Sequence, residues 1–301
     1  MKNNHNKLLV IIGATGTGKT TLAVKLAMRY NGEIISADSR QVYKGMDIGT
    51  GKDLDEYGNI KHHLLDVVKP NTEFNLAKYI KLANKAIKDV QKRGKLPILA
   101  GGTGLYAQAI VDGYDLSGVK PDKELRKKLE DISVEKLQKK LKKLDPDFDA
   151  VFNKRYLIRY IEMVKQTGMP VKKLLTKQGS EYDSLVLGVE FPREIINKRI
   201  DKRLVERIEK EGMIKEIEHL HKQGVSWKRL ESFGLEYKFV SQYLCGKLDK
   251  NEMIEKLKIA SHQFAKRQMS WYRRWERQGR KIIWIDKYGE GNTAVKGWLV
   301  G

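Results

Sequence analysis

The sequence predicts an α/β protein: a parallel-sheet core with helices on both faces and an inserted, mainly helical domain. Three observations carry this. Short, continuously apolar runs end in Gly or Asp and alternate with stretches of helical periodicity, as expected of strands buried on both faces. A glycine-rich octapeptide separates the first apolar run from the first helical one. A charged, proline-bounded stretch then breaks the alternation before an apolar run resumes it. The 301 residues suffice for about two domains.

The first strand is read at 8–12 (LLVII), with Thr21, Leu22, Ala23, Leu26 and Ala27 following at helical spacing. A second strand is read at 33–37, running into Asp38, and a third at 96–100, running into Gly101 and Gly102, with a helical pattern over 75–91 between them. Ligands of such sheets bind beyond the carboxyl ends of the strands. The segment 120–143 reads as helical, with ten Lys or Arg against five acids, and is bounded by Pro121 and the Asp145-Pro146 turn. A helix over 155–166 stops at Gly168, and a strand at 185–189 resumes the sheet. The expected division is therefore 1–114 (core), 115–183 (insertion) and 184–301 (core, with long basic helices). All six prolines lie at or before Pro192, which leaves the rest free for long helices over 195–220 and 253–275 before a last strand at 282–285.

Lys and Arg number 59 against 38 Asp and Glu, a net charge of +21, which points to a polyanionic partner. The single Cys245 excludes an internal disulfide or a Cys-rich zinc site and fits a reducing, cytoplasmic compartment. The opening apolar run is too short for a signal peptide or a membrane span, so no membrane role is expected. His62 and His63, and likewise His219 and His221, are spaced so that their side chains diverge; packing or polar roles are expected for them, and no zinc.

The octapeptide Gly13-Ala14-Thr15-Gly16-Thr17-Gly18-Lys19-Thr20 has P-loop spacing in a strand–loop–helix setting. Its backbone N–H groups would point at phosphate oxygens, Lys19 would neutralise them, and the Thr20 hydroxyl would hold Mg2+. A P-loop binds a phosphate chain without implying hydrolysis. The short run Leu64-Leu65-Asp66 is a candidate for the acid that hydrolytic members carry, so an ATP or GTP hydrolase or a small-molecule kinase stays open on these residues. Asp38, at a strand end beside this loop, suits water-mediated Mg2+ binding, general-base work on a bound acceptor, or a helix cap.

Together these segments resemble the bacterial tRNA dimethylallyltransferases. The resemblance rests on 13–20, 34–43 (IISADSRQVY), 45–52 (GMDIGTGK), 62–70 (HHLLDVVKP), 97–106 (PILAGGTGLY), 199–203 (RIDKR) and 265–271 (AKRQMSW), in the family's order over most of the chain. It implies transfer of a dimethylallyl group from dimethylallyl pyrophosphate to the exocyclic N6 amine of the adenine 3′ of the anticodon, in tRNAs reading codons that begin with U. A sister enzyme that prenylates free adenylate and a nucleic-acid-binding P-loop NTPase are the rival readings, and the +21 charge and the basic insert favour a macromolecular acceptor over the first. It further implies that the P-loop grips the pyrophosphate with Mg2+, that Asp38 is the base, that Thr103 lies beside the amine and Arg199 on the pyrophosphate, and that Ser39, Arg40 and Gln41 help hold the extruded adenine. Arg159 carries over as a tRNA contact and Arg155 by a looser match, because Tyr156 stands where the family's first Arg of that motif would align.

The segment 256–281 has nine basic residues against Glu276 alone. Helical spacing puts Phe264, Gln268, Trp271 and Trp275 on one face, read as core anchors, and Lys266, Arg273, Arg277 and Arg280 on another, read with Arg267 as phosphate-facing. With the basic insertion segment this would clamp a tRNA anticodon stem-loop. Nothing in the pattern demands a dimer, so a monomer is expected.

Overall fold

The computed structural model describes residues 6–114, 121–148, 153–174, 179 and 181–301. The chain divides into two compact units, Met1–Val111 with Glu181–Gly301, and Asp112–Ser180. Lys120, the first cation of the basic insertion segment, lies outside the described residues.

The first unit is built on six parallel strands in the order β3-β2-β4-β1-β5-β6: β1 (Lys7–Gly13), β2 (Gly32–Ser36), β3 (His62–His63), β4 (Leu96–Gly101), β5 (Asp183–Val189) and β6 (Ile283–Ile285). Side chains alternate across each strand, so β1 supplies two layers at once. Leu8, Val10 and Ile12 pack with α2 (Leu76–Lys92), α3 (Gly104–Val111) and Trp275 of α12 (Lys250–Arg277). Leu9 and Ile11 pack on the other face with α1 (Lys19–Arg29) and Val295 of α13 (Tyr288–Val300). All five are fully buried, each contributing about 1.5–3 kcal/mol by transfer. Doubly covered strands explain why the sequence showed continuous apolar runs rather than alternation.

The run Leu64-Leu65-Asp66 does not form a strand. β3 ends at His63, and Leu64 and Asp66 take left-handed backbone (φ 65 and 53) as the chain turns away. The Asp66 carboxylate meets the buried Lys52 ammonium at 2.5 Å, so it is a structural counter-ion and not an acid facing phosphates.

The helix expected over 195–220 is interrupted. α8 (Arg193–Glu206) passes into a π-helical turn (Arg207–Glu211), and Gly212, at φ 89, breaks the run before α9 (Met213–Lys222). Helices α10 (Trp227–Glu231) and α11 (Leu235–Leu244) complete a cluster with Val42, Tyr43, Leu204, Ile217, Phe233 and Leu257. α12 starts on a capping box, Asp249 with Glu252, and runs 28 residues.

In the second unit the basic segment is two helices rather than one. α4 (Lys123–Glu130) is capped by Asp122, and α5 (Val134–Leu144) by Ser133, whose hydroxyl accepts the Lys136 N–H and restarts the helix. α6 (Lys154–Thr167), capped by Asn153 and stopped by Gly168 at φ 66, precedes the short α7 (Val171–Leu174). Leu129, Leu137, Leu141, Leu157 and Ile161 form its core. Among the described residues no helix is long and apolar enough to cross a membrane.

Candidate active site

The phosphate loop has the backbone that its glycines allow. Gly16 and Gly18 sit at φ 80 and 78, where a side chain is strained, and a Cβ on Gly13 would come within 2.7 Å of the Thr17 hydroxyl. That hydroxyl donates to Ala14 O at 2.8 Å and fixes the turn. Gly18 caps α1 with no side-chain acceptor, so the first N–H groups of the helix remain for an anion. Lys19 reaches across the loop to Ala14 O at 3.5 Å. Burial lowers its ammonium pKa to about 8, the carboxylates of Asp38, Asp53 and Glu56 pull it up, and Arg203 pushes it down. Such a lysine gains most when an anion arrives. Among the described residues nothing hydrogen-bonds the half-buried Thr20 hydroxyl.

The carboxyl ends of β2 and β4 converge beside this loop. Gly101 is obligatory, since a Cβ there would overlap the backbone of Ala37. Two bonds tie the strands' ends, Ala37 N–H to Ala100 O at 2.8 Å and Thr103 N–H to Ala37 O at 3.1 Å. The Asp38 carboxylate accepts the Arg40 N–H at 2.8 Å, and the Thr103 hydroxyl accepts the Ser39 N–H at 3.0 Å. Gln41 accepts from the Ser36 hydroxyl at 2.9 Å and donates to Gly51 O at 2.9 Å. Asp38 through Gln41 and Thr103 line one cavity of about 520 Å³ with Thr15, Gly16, Gly18, Lys19 and Thr20.

The AKRQMSW segment closes this cavity from α12. Gln268 is buried; its amide accepts the Thr15 N–H at 2.9 Å and donates to Gly102 O at 2.8 Å, bridging the phosphate loop and the turn that carries Thr103. The Tyr272 hydroxyl adds a bond to Gly102 O at 3.1 Å, and the Trp271 indole donates to Gln108 at 3.0 Å. Gln268 and Trp275 are the buried anchors expected. Phe264 is not an anchor: it is 41% exposed at the cavity wall, with the Arg267 guanidinium 5.9 Å from its ring.

α8 brings two cations besides Arg199 to the site, Arg203 and Arg207, and these two, one and two turns on, line the cavity. Arg199 is exposed, with its guanidinium 4.2 Å over the Phe191 ring, outside the cavity lining. Ile196, Arg199 and Ile200 lie against Gly16, so the first turns of α8 abut the phosphate loop and the following turns run along the cavity. Both arginines bond the carboxylate of Asp53, Arg207 at 2.9 Å. Sequence reasoning missed Arg203, Arg207 and Asp53, although Arg203 closes the RIDKR segment and the buried Ile196–Ile200–Leu204 stripe marks the inward face.

The remaining basic candidates are scattered. Lys266 lines a second cavity, of about 710 Å³, with Ala14, Arg193 and His262. Arg273, half-exposed, is paired rather than free: it meets Glu190 at 2.5 Å and Glu276 at 3.2 Å and lies over Trp284. Arg280 folds back beside Trp275, whereas Arg277 is exposed. In the second unit Arg155 is exposed, while Arg159 pairs with the fully buried Glu162, which Arg126 also holds at 2.7 Å. Tyr156 packs near Tyr160, with ring centroids 6.1 Å apart. Of the histidines, His63 meets Glu33 at 2.7 Å, His221 stacks on Trp227 at 3.7 Å, and His219 contacts Gln223.

Residues 41–275 match the IPP transferase family model and residues 6–64 the isopentenyl transferase model. The chain is 46% identical over 293 residues to the tRNA dimethylallyltransferase 2 of Treponema denticola, covering 95% of this chain and 98% of that one. It superposes on the tRNA isopentenylpyrophosphate transferase of Bacillus halodurans with a TM-score of 0.72 and 34% identity over 98% and 97% of the two chains. A eukaryotic dimethylallyltransferase acting on tRNA gives a TM-score of 0.77 and 30% identity, with 88% of this chain and 69% of that one covered. With a family model spanning most of its length and relatives matched end to end, the chain belongs to the IPP transferase family.

Proposed function

We propose that this protein transfers the dimethylallyl group of dimethylallyl pyrophosphate to the exocyclic N6 amine of the adenine 3′ of the anticodon, in tRNAs that read codons beginning with U. The observation that supports this reading most directly is one cavity with two chemistries. The phosphate loop, Lys19 and Arg203 offer an anion cradle, and Asp38 with Thr103 offers a carboxylate and a hydroxyl to an acceptor.

In the step itself the N6 lone pair forms a bond to the allylic carbon while that carbon's bond to the pyrophosphate oxygen breaks. The electron pair leaves with the pyrophosphate, and the N6 proton goes to Asp38. The amine is a weak nucleophile because its lone pair is delocalised into the purine, so removing the proton as the bond forms lowers the barrier. The N–H groups at the start of α1, Lys19 and Arg203 stabilise the charge that grows on the leaving group. Thr103, held by the Ser39 N–H, would accept a hydrogen bond from the amine's second N–H, which stays on N6, and so orient the amine. The base must be unstacked to reach the cavity. The residues fit Mg2+: the Thr20 hydroxyl, next to Lys19 in the cavity lining, is a hard oxygen donor that would hold it, and Mg2+ is bound by few protein oxygens plus phosphate and water. When bound it would neutralise pyrophosphate charge. The enzyme is read as a cytoplasmic monomer.

Incubation with labelled dimethylallyl pyrophosphate and tRNA, AMP or no acceptor tests the proposal. Label in tRNA, mapped by nuclease digestion to the adenine 3′ of the anticodon, is expected. Label in AMP alone, or ATP turnover without prenyl transfer, would overturn it.

A further inference from the structure

The loop 45–53 is anchored more firmly than a surface connection requires. Glu216 of α9 accepts the N–H groups of Asp47, Ile48 and Gly49 at 2.8, 2.7 and 3.1 Å, and the Tyr237 hydroxyl donates to the same carboxylate at 2.7 Å. From inside the loop, the fully buried Lys52 ammonium reaches Tyr43 O at 2.8 Å, Asp47 at 2.6 Å and Asp66 at 2.5 Å. None of these groups lies among those that would react. What the anchored loop delivers is its last residue, Asp53, held in left-handed backbone at φ 45, ψ 54.

The Asp53 carboxylate accepts from Arg203 through Oδ2 and from Arg207 at 2.9 Å through Oδ1 and 3.2 Å through Oδ2. Gly51 makes room for this, since a Cβ there would come within 2.5 Å of the Arg207 guanidinium. All three side chains line the cavity with Lys19 and Thr20. Two guanidiniums four residues apart on a helix repel one another and, left alone, gain rotamer entropy by turning to solvent. A carboxylate on the cavity side reverses both tendencies. Among the described residues this is the one hydrogen bond that Arg203 makes, so the rest of its five N–H donors stay available to an anion.

We propose that Asp53 is a positioning residue, which holds Arg203 and Arg207 with their remaining N–H edges toward the phosphate end of the cavity, so that pyrophosphate meets a pre-set pair of cations. The proposal rests on the reading that pyrophosphate lies against Arg203. It runs against the simplest electrostatic expectation, that a carboxylate beside an anion site weakens anion binding.

The test uses the full chain with tRNA and dimethylallyl pyrophosphate. Asp53→Asn keeps the left-handed backbone, which Asn adopts readily, and is expected to lower kcat/KM for the pyrophosphate substrate about 10- to 100-fold, the scale of a misplaced catalytic group. The KM for tRNA should stay within about twofold. In an Arg203→Ala, Arg207→Ala background the same change should cost less than about threefold, because what remains of Asp53 there is its weaker field at Lys19. Tighter inorganic pyrophosphate binding by Asp53→Asn, an unchanged kcat/KM, or an undiminished loss in the doubly substituted background would overturn the proposal while leaving the arginine reading intact. A fully active Arg203→Ala enzyme would instead remove the arginine reading, and this proposal with it.

Discussion

At the scale of single residues, the site separates groups that react from groups that hold. Asp38 is the base in the proposed reaction, and an Asn there would still offer an oxygen to accept the Arg40 N–H. Asp38→Asn is therefore expected to bind tRNA with nearly unchanged affinity and to slow single-turnover transfer by about 10²-fold or more, the range for loss of a general base. Equal single-turnover rates for the two proteins would remove Asp38 from the chemistry. The two arginines of RIDKR make a sharper comparison. Arg203→Ala is expected to reduce kcat/KM for dimethylallyl pyrophosphate at least tenfold, as removing a charge-assisted contact does, with Arg199→Ala changing it much less because Arg199 rests on Phe191 outside the cavity. Steady-state kinetics on both variants decides the order.

At the scale of elements, close approach rather than propensity shapes the site. Gly101 lies at the end of β4 where the backbone of Ala37 leaves no room for a methyl group. Gly101→Ala should force the strand ends apart and cost about 1–3 kcal/mol, as overpacking does, measurable by denaturant unfolding. Gln268→Ala leaves the Thr15 N–H without its acceptor, while Gly102 O keeps the Tyr272 hydroxyl, at about 1–3 kcal/mol for the group left unpaired, and should lower activity by loosening both loops.

These elements also show what was legible beforehand. The strands were readable because burial on both faces leaves an uninterrupted apolar signal, and the P-loop because Gly16 and Gly18 must occupy left-handed backbone. The break at Gly212, the restart at Ser133 and the inward turn of Arg203 were not, since each depends on what the helix packs against. Phe264 fell on the same helical face as the buried Gln268, yet its position over an open cavity leaves it exposed. Spacing fixes a face and says nothing of whether that face meets protein or solvent.

At the scale of the molecule, charge is spent in two ways. Some cations neutralise buried acids: Glu33, 1% exposed, is held by Arg93, Lys95 and His63, whose hydrogen bonds, Arg93 foremost, hold its carboxyl far below the usual range against the opposing effect of burial. Because the folded-state pKa is depressed, the stability this group contributes is fully present above the ordinary value of 4.5 and is lost as pH falls through the depressed one. Glu33→Gln should destabilise the protein near neutral pH by about 1–3 kcal/mol, the scale for charge-assisted hydrogen bonds whose partner cations, Arg93 and Lys95, are about a third exposed and can rehydrate, and should flatten the acid limb of the stability curve in thermal unfolding across pH. Other cations remain free for RNA. Arg277 is exposed, whereas Arg273 is committed to Glu190 and Glu276. Neutralising Arg277 should therefore shallow the salt dependence of tRNA binding by about 0.7–0.9 in log–log slope for a lost phosphate contact, while Arg273→Gln should leave the slope and lower the melting temperature.

The amide of Gln268 has a consequence beyond stability. One rigid plane touches the loop that would hold the donor and the turn that would hold the acceptor, so neither can shift without the other feeling it. Linkage then demands reciprocity: whatever free energy the first substrate lends to the second through that plane, the second returns in equal measure. The free energy of assembling the ternary complex is the same whichever substrate enters first, and a preferred order of addition would reflect the rates of entry alone.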